Sequence, residues 1–229
     1  AMALLLSPRL SRLSGKIDYR HQWWDMSKRT GTVGALGLSF MAGSLEDGDS
    51  GLPFREGMTL DEHADDEDQR SNDLYRELAH LGNRPILPVG SQKKIKASRA
   101  QYPTPVALYT GAQVAGAPLT PNVLPFHLLR LGEIVLAGFP AEMNTMAGRR
   151  LQEIINHNLP ETTQVIPVSY ANQYAQYVVT PEEYDAQHYE GASTLFGRNT
   201  LAEYLKIYTD LAIAIRHGYS IQTVRGHYP

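Results

Sequence analysis

The stretch EIVLAGFPAEMNTMAGRR, Glu133 to Arg150, decides how this chain is built. Its first half is an apolar run of strand type, and its second half carries helical spacing. Between them stands one carboxylate, Glu142, where a buried strand is expected to turn into a helix. A carboxylate there suits two roles. It is a candidate metal ligand or acid/base, and equally an ordinary first-turn residue that complements the helix dipole.

Working outward, Val123–Leu131 and Glu133–Phe139 read as strands separated by Gly132 alone, hence as a tight hairpin or one bent ribbon. Ala141–His157 follows with helical spacing, apolar at Met143, Met146, Leu151, Ile154 and Ile155. Thr162–Val168 reads as another strand. The last helix spans about Leu201–Ile215, with Tyr204, Tyr208, Leu211 and Ile215 on one stripe, Thr200 as cap and Gly218 as stop. Upstream, Val33–Gly43 reads as a buried strand of small residues ending in a glycine loop. Pro85–Val89 and Val106–Tyr109 are further short strands. Glu46–Asp68 is acidic, and Asp61, Glu62, Asp65, Asp66, Glu67 and Asp68 suit a solvated loop or the first turn of a helix reaching Leu81. Its spacing does not fit a helix-loop-helix calcium site. This order predicts an α/β or α+β fold, with mixed sheet layers and flanking helices, in a single region over 1–229.

Composition narrows the function classes. The chain has 229 residues, 42% of them hydrophobic, and a formal charge of -3. That charge gives no broad basic footprint, so no nucleic-acid partner is expected. No apolar run approaches the roughly 20 residues of a membrane span. Zero cysteine removes disulfides and thiolate metal sites. Any metal must be held by imidazole, carboxylate or phenolate.

The segment YANQYAQYVVTPEEYDAQHYEGAS, from Tyr170, is dense in aromatic hydroxyls: Tyr170, Tyr174, Tyr177, Tyr184 and Tyr189. Such clusters suit packed rings with satisfied hydroxyls, or a pocket wall that meets a metal or polar head group. Glu182 and Glu183, after Pro181, suit a helix first turn. His188 suits a base or a hydrogen-bonding structural residue. Arg149 and Arg150 suit a carboxylate clamp or a solvated face.

Three motifs, GFPAEMNTMAGRRL (138–151), ANQYAQYVVTPEEYDAQHYEGASTLFGRNTL (171–201) and more weakly LGLSFMAGSLEDG (36–48), resemble the neutral ceramidase family. The resemblance runs from about Ile17 to His217 and implies the later part of a larger, ceramidase-like catalytic domain. It implies a zinc-dependent amidase that hydrolyses the N-acyl bond of ceramide or a related lipid amide. Carried over by position, it implies Glu142 and Tyr177 as zinc ligands and Tyr189 as a catalytic residue at the reacting amide. Tyr174, His188 and Arg149 are candidate pocket residues from the reading of their segments alone.

The family's two zinc histidines and its serine segment lie in an earlier region with no matching motif here. A second polypeptide or a missing N-terminal segment is therefore expected to carry them, with an N-acyl lipid substrate and room for peripheral membrane contact. The second polypeptide would be a processed piece, a separately encoded subunit or the product of a nick. The resemblance also implies a secreted or periplasmic location, and the family's C-terminal sandwich domain has no counterpart in the sequence. Ala141-Glu142-Met143-Asn144 stands where the family often has Gly-Glu-Phe-Thr. His80-Leu81-Gly82-Asn83 stands where a cysteine is usual. These departures bear on lipid specificity and leave two alternatives: an amidase for N-acyl amino acids or lipopeptides, and a non-catalytic structural or binding subunit.

Overall fold

A computed structural model describes residues 13–32, 34–44, 46, 48, 56–57, 79–81, 84–88, 120–159 and 164–221. The expected strand Val106–Tyr109 and the acidic run Asp61–Asp68 lie outside the described residues. The central element is a sheet of four strands: β1 (Ile17–Asp25) beside β5 (Val123–Leu131), then β6 (Ile134–Gly138) and β8 (Gln164–Val168). β1 and β5 pair antiparallel over nine residues, with His21 opposite His127. β5 and β6 form the expected hairpin. Its turn needs Gly132, which has φ 62° and would place a Cβ 2.0 Å from the Ser14 carbonyl oxygen. β6 and β8 are parallel, so the chain must cross over between them, and helix α2 (Thr145–Asn158) makes that crossover.

Alternation along the strands sets the core. Leu124, Phe126 and Leu128 of β5, Val135 and Ala137 of β6, and Val165 of β8 are buried on one face. Against that face pack α2, through Ala147, Leu151 and Ile155, and α5 (Thr200–His217). The predicted stripe of α5 is the buried one: Tyr204, Tyr208, Leu211 and Ile215. Phe126 meets Tyr204 and Tyr208 edge to face, with ring centroids 4.7 and 6.0 Å away. Gly218 ends α5 at φ 71° as expected, while Thr200 is its first residue rather than its cap. Ahead of the core, helix α1 (Met26–Thr30) is tied to α5 by an Arg29–Glu203 ion pair of 2.7 Å.

Elsewhere the elements depart from the sequence reading. Val33–Gly43 is not one strand: β2 (Ala35–Gly37) stops at Gly37, and Leu38–Ala42 turns into 3₁₀ helix. A Cβ at Gly37 would come within 3.2 Å of Ala192, so close packing replaces further extension. β3 (Ala79–Leu81) and β4 (Arg84–Pro88) join β2 in a second sheet, order β2-β4-β3. Ala79–Leu81 is thus a strand, where the sequence reading expected the end of a helix. α2 begins at Thr145, four residues later than expected, and Met146 is 43% exposed instead of lying on the core stripe. The reason is Asn144, whose side chain accepts from Ala147 N at 2.9 Å and resets the helix phase.

Two measurements check this framework. The Tyr208 hydroxyl, fully buried, donates to the Gly138 carbonyl at the end of β6. Tyr208→Phe should lower stability by about 1–2 kcal/mol in denaturant titrations, because a buried acceptor loses its donor. Burial, and then the adjacent His21, bring His127 down to about 4. As pH falls the unfolded chain takes up that proton first, near its free value of about 6.5. Stability should therefore decline between about pH 6.5 and 4, and His127→Gln should flatten the melting temperature across that window.

Candidate functional site

Beyond Gly138 the chain leaves the sheet, and Glu142 lies in a two-residue strand, β7 (Glu142–Met143). Its partner is β9 (Tyr177–Val178), parallel, with Glu142 directly opposite Tyr177. Backbone bonds hold the register: Glu142 N donates to the Gln176 carbonyl at 2.9 Å, and Ala175 N to the Pro140 carbonyl at 2.7 Å. The helix-capping account of Glu142 therefore fails. Asn144 is the cap, and Glu142 precedes it on a strand whose pairing fixes where its carboxylate sits.

Around that carboxylate stand phenols. Tyr174 donates to Glu142 Oε1 at 2.6 Å and stacks on Tyr170, centroids 5.8 Å apart. Burial alone would push the Glu142 carboxyl up, but hydrogen bonds from Tyr170, Tyr174 and Tyr177 together hold it below the usual carboxylate range. The phenols respond oppositely. Burial, then the Glu142 charge, push Tyr174 and Tyr177 well above their ordinary value. Both are thus protonated donors at neutral pH.

The loop that makes this arrangement is strained. Tyr170, Asn172 and Gln176 have φ of 59°, 66° and 58°, a left-handed backbone that costs side-chain-bearing residues energy. Tyr189 opens the short helix α4 (Tyr189–Ala192) and sits edge-on to Tyr177 at 5.9 Å. Phe40 stacks on its other side at 4.7 Å, so the segments 36–48 and 171–201 meet at this ring.

Other expected site residues fall elsewhere. His188 pairs with Glu56 at 2.8 Å in a cleft of about 510 Å³ that also includes Tyr189, Glu183 and Glu190. Arg149 is exposed, and its Nη1 lies 3.9 Å from Met146 Sδ. Arg150 pairs with Glu182 instead. Glu182 and Glu183 do open a helix, α3 (Pro181–Ala186), where Thr180 and Glu183 cap each other. Tyr170 is the residue whose place beside Glu142 sequence spacing did not single out, since only its left-handed turn brings it back.

Glu142 and Tyr177 offer one anionic and one phenolic oxygen on neighbouring strands. Among the described residues no three His, Asp or Glu side chains gather for one ion. The donor set fits part of a metal centre. A family model described as neutral/alkaline non-lysosomal ceramidase, N-terminal, matches residues 1–206.

The chain belongs to the neutral/alkaline non-lysosomal ceramidase family.

Among relatives of this ceramidase family, neutral ceramidase 2 of Arabidopsis thaliana is 32% identical over 239 residues, covering 95% of this chain and 29% of its own. Neutral ceramidase of Pseudomonas aeruginosa is 33% identical over 210 residues, covering 91% and 28%. A solved ceramidase complexed with C2 superposes with a TM-score of 0.65 at 29% identity, over 95% of this chain and 33% of that one. The chain thus spans about a third or less of the ceramidases it matches, and its sheet and helices are part of a larger catalytic domain.

The hydrogen bond from Tyr174 gives a direct test of the site's electrostatics. Tyr174→Phe removes a donor that favours the charged carboxylate, so the Glu142 midpoint should move up toward the ordinary range in a carboxyl-carbon NMR titration. Because Glu142 titrates lower in the fold than free, its contribution to stability is present above the free value and lost as pH falls through the folded one. An unmoved midpoint would show that the bond does not form.

Proposed function

We propose that this chain is one part of a zinc-dependent amidase that hydrolyses the N-acyl amide of ceramide or a related lipid amide. The observation that carries the reading is the pairing of Glu142 with Tyr177 across β7 and β9, inside a family-matched region. Zinc, when bound, supplies a water acidic enough to attack an unactivated amide and a positive charge for the developing oxyanion. Glu142 and Tyr177 would hold it. Tyr170 and Tyr174 orient the Glu142 carboxylate by hydrogen bonding to it. Tyr189, whose ring lies between Phe40 and Tyr177, would in this proposal present its hydroxyl to the reacting amide.

Two oxygen ligands are too few for a four-coordinate catalytic zinc with one position left for water. The two histidines and the serine segment come, in this proposal, from a second polypeptide that carries the earlier part of the catalytic domain. The substrate's acyl chain implies peripheral contact with a lipid surface, and the enzyme works outside the cytoplasm, secreted or periplasmic.

In the assembled protein, Glu142→Ala should lower bound zinc and fatty-acid release from ceramide together, zinc being read by elemental analysis. Tyr177→Phe should weaken zinc retention while leaving the chain folded. Full amidase activity with stoichiometric zinc in this chain alone would refute the two-part reading. Release from N-acyl amino acids faster than from ceramide would move the substrate class.

A further inference from the structure

A side-chain contact ties the four-stranded sheet to the tyrosine loop: Asn172 Nδ2 lies 2.7 Å from His127 Nε2. His127 sits in β5 opposite Gly138, the last residue of β6 before the chain departs toward Glu142. Asn172 stands midway between Tyr170 and Tyr174, two of the phenols that hydrogen-bond to the Glu142 carboxylate. The contact therefore joins the end of the sheet to the middle of the turn that aims both rings.

Local chemistry makes that contact. A Cβ at Gly138 would meet Ala171 at 3.2 Å and His127 at 3.5 Å, so only glycine lets the loop settle beside the imidazole. Ala171 N donates to the Phe139 carbonyl at 2.9 Å, which fixes where the loop begins. The next residue, Asn172, has φ 66°, a left-handed backbone that asparagine tolerates better than most residues. Its amide, held by His127, selects this turn over an extended one. On the other side of His127 lies His21, rings 4.5 Å apart and 11° from parallel, a stack that fixes the plane of the imidazole. Burial, and then His21, keep His127 neutral at neutral pH, with its midpoint at about 4. An amide nitrogen only donates, so Nε2 accepts and the ring proton resides on Nδ1.

We propose that His127 is a positioning residue for the Glu142 centre, acting through Asn172 on Tyr170 and Tyr174. His127 fixes Asn172, and Asn172 fixes the turn. The stacked pair Tyr170–Tyr174 then meets the carboxylate, with the Tyr174 hydroxyl 2.6 Å from Glu142 Oε1. The inference rests on the chemistry proposed for Glu142 and names a further residue on which it depends. Stability alone does not account for a histidine here. A hydrogen bond to an exposed asparagine adds little to it, and an imidazole kept neutral by burial loses stability as pH falls. Packing beside Gly138 would be served as well by leucine. An acceptor for Asn172 is something glutamine can supply and leucine cannot.

The test compares His127→Leu with His127→Gln in the full chain, its tyrosine ring carbons labelled for NMR. The Cζ resonance of Tyr174 reports whether the hydroxyl donates. It should move toward the free-phenol position in His127→Leu and stay near wild type in His127→Gln. Tyr177, held by the pairing of β9 with β7, is the internal control and should not move. Asn172→Gly approaches from the other end, since glycine accepts the left-handed turn but has no amide. It should move Tyr174 as His127→Leu does, with no further movement in the double variant. A Tyr174 resonance unmoved by either change, a glutamine variant that behaves as leucine does, or equal movement at Tyr177 overturns the proposal.

Kinetics of the assembled enzyme give the second measurement. His127→Leu should lower kcat for ceramide about tenfold, the scale expected for a residue that orients a metal ligand from behind. KM should stay within about twofold, because the substrate's own contacts are untouched. His127→Gln should recover most of the loss. An unchanged kcat, or a loss carried by KM, overturns the positioning role. The ring spectra are read without zinc or substrate. Absence of fatty-acid release by the wild-type enzyme would therefore refute the amidase reading while leaving the link from His127 to Tyr174 to be judged by its own resonance.

Discussion

The parallel pairing of β6 with β8 is the constraint from which the site follows. Parallel strands run in one direction, so both segments leave the sheet at the same end. The chain beyond β6 carries Glu142, and the chain beyond β8 carries Tyr170, Tyr174 and Tyr177. Had β8 run antiparallel, the tyrosines would lie at the far end of the sheet. The two emerging segments pair once more as β7 and β9, which turns general proximity into a defined register. Crevices at the carboxyl ends of parallel strands are common ligand sites for this geometric reason.

Bringing Glu142 and the tyrosines together has a cost, visible in the backbone. Three left-handed residues without glycine's freedom fall between Tyr170 and Gln176. Neighbouring bonds hold them there: Tyr170 N to the Ala141 carbonyl, Ala171 N to Phe139 and Ala175 N to Pro140. The apolar anchors Phe139 and Ala141 are buried, so the loop is fastened to the core at its base. Strain held by a rigid frame is characteristic of sites where geometry matters more than stability.

Much of the frame was legible from sequence. The hairpin around Gly132, the α5 stripe and the Pro181 helix start follow from local chemistry that no distant contact overrides. The site was legible as a list of residues but not as a structure. The assignment of Glu142 to the start of a helix failed because Asn144 is the better cap and β9, thirty-odd residues on, offers Glu142 a strand partner. Val33–Gly43 broke at Gly37 because Ala192 packs against it, a contact sequence spacing cannot display. Tyr170 was missed for the same kind of reason: its left-handed turn depends on tertiary bonds. His21 and His127 could not be matched before the register of β1 on β5 was known.

The electrostatics of the tyrosines bear on how a half-built centre behaves. With the Glu142 charge beside them, Tyr174 and Tyr177 keep their protons more firmly than free tyrosine does. Those protons satisfy the carboxylate, which would otherwise stand partly buried without partners. The same protons block Tyr177 from acting as a ligand, because a metal needs the phenolate. At the proposed zinc site, Glu142 and Tyr177 would hold the ion only if Glu142 gave up those donors and Tyr177 its proton, a loss that the charge of a bound cation would favour. Two ligands give little affinity with which to drive that exchange. In the two-part reading proposed above, the second polypeptide's donors would supply it, which would couple metal capture to assembly.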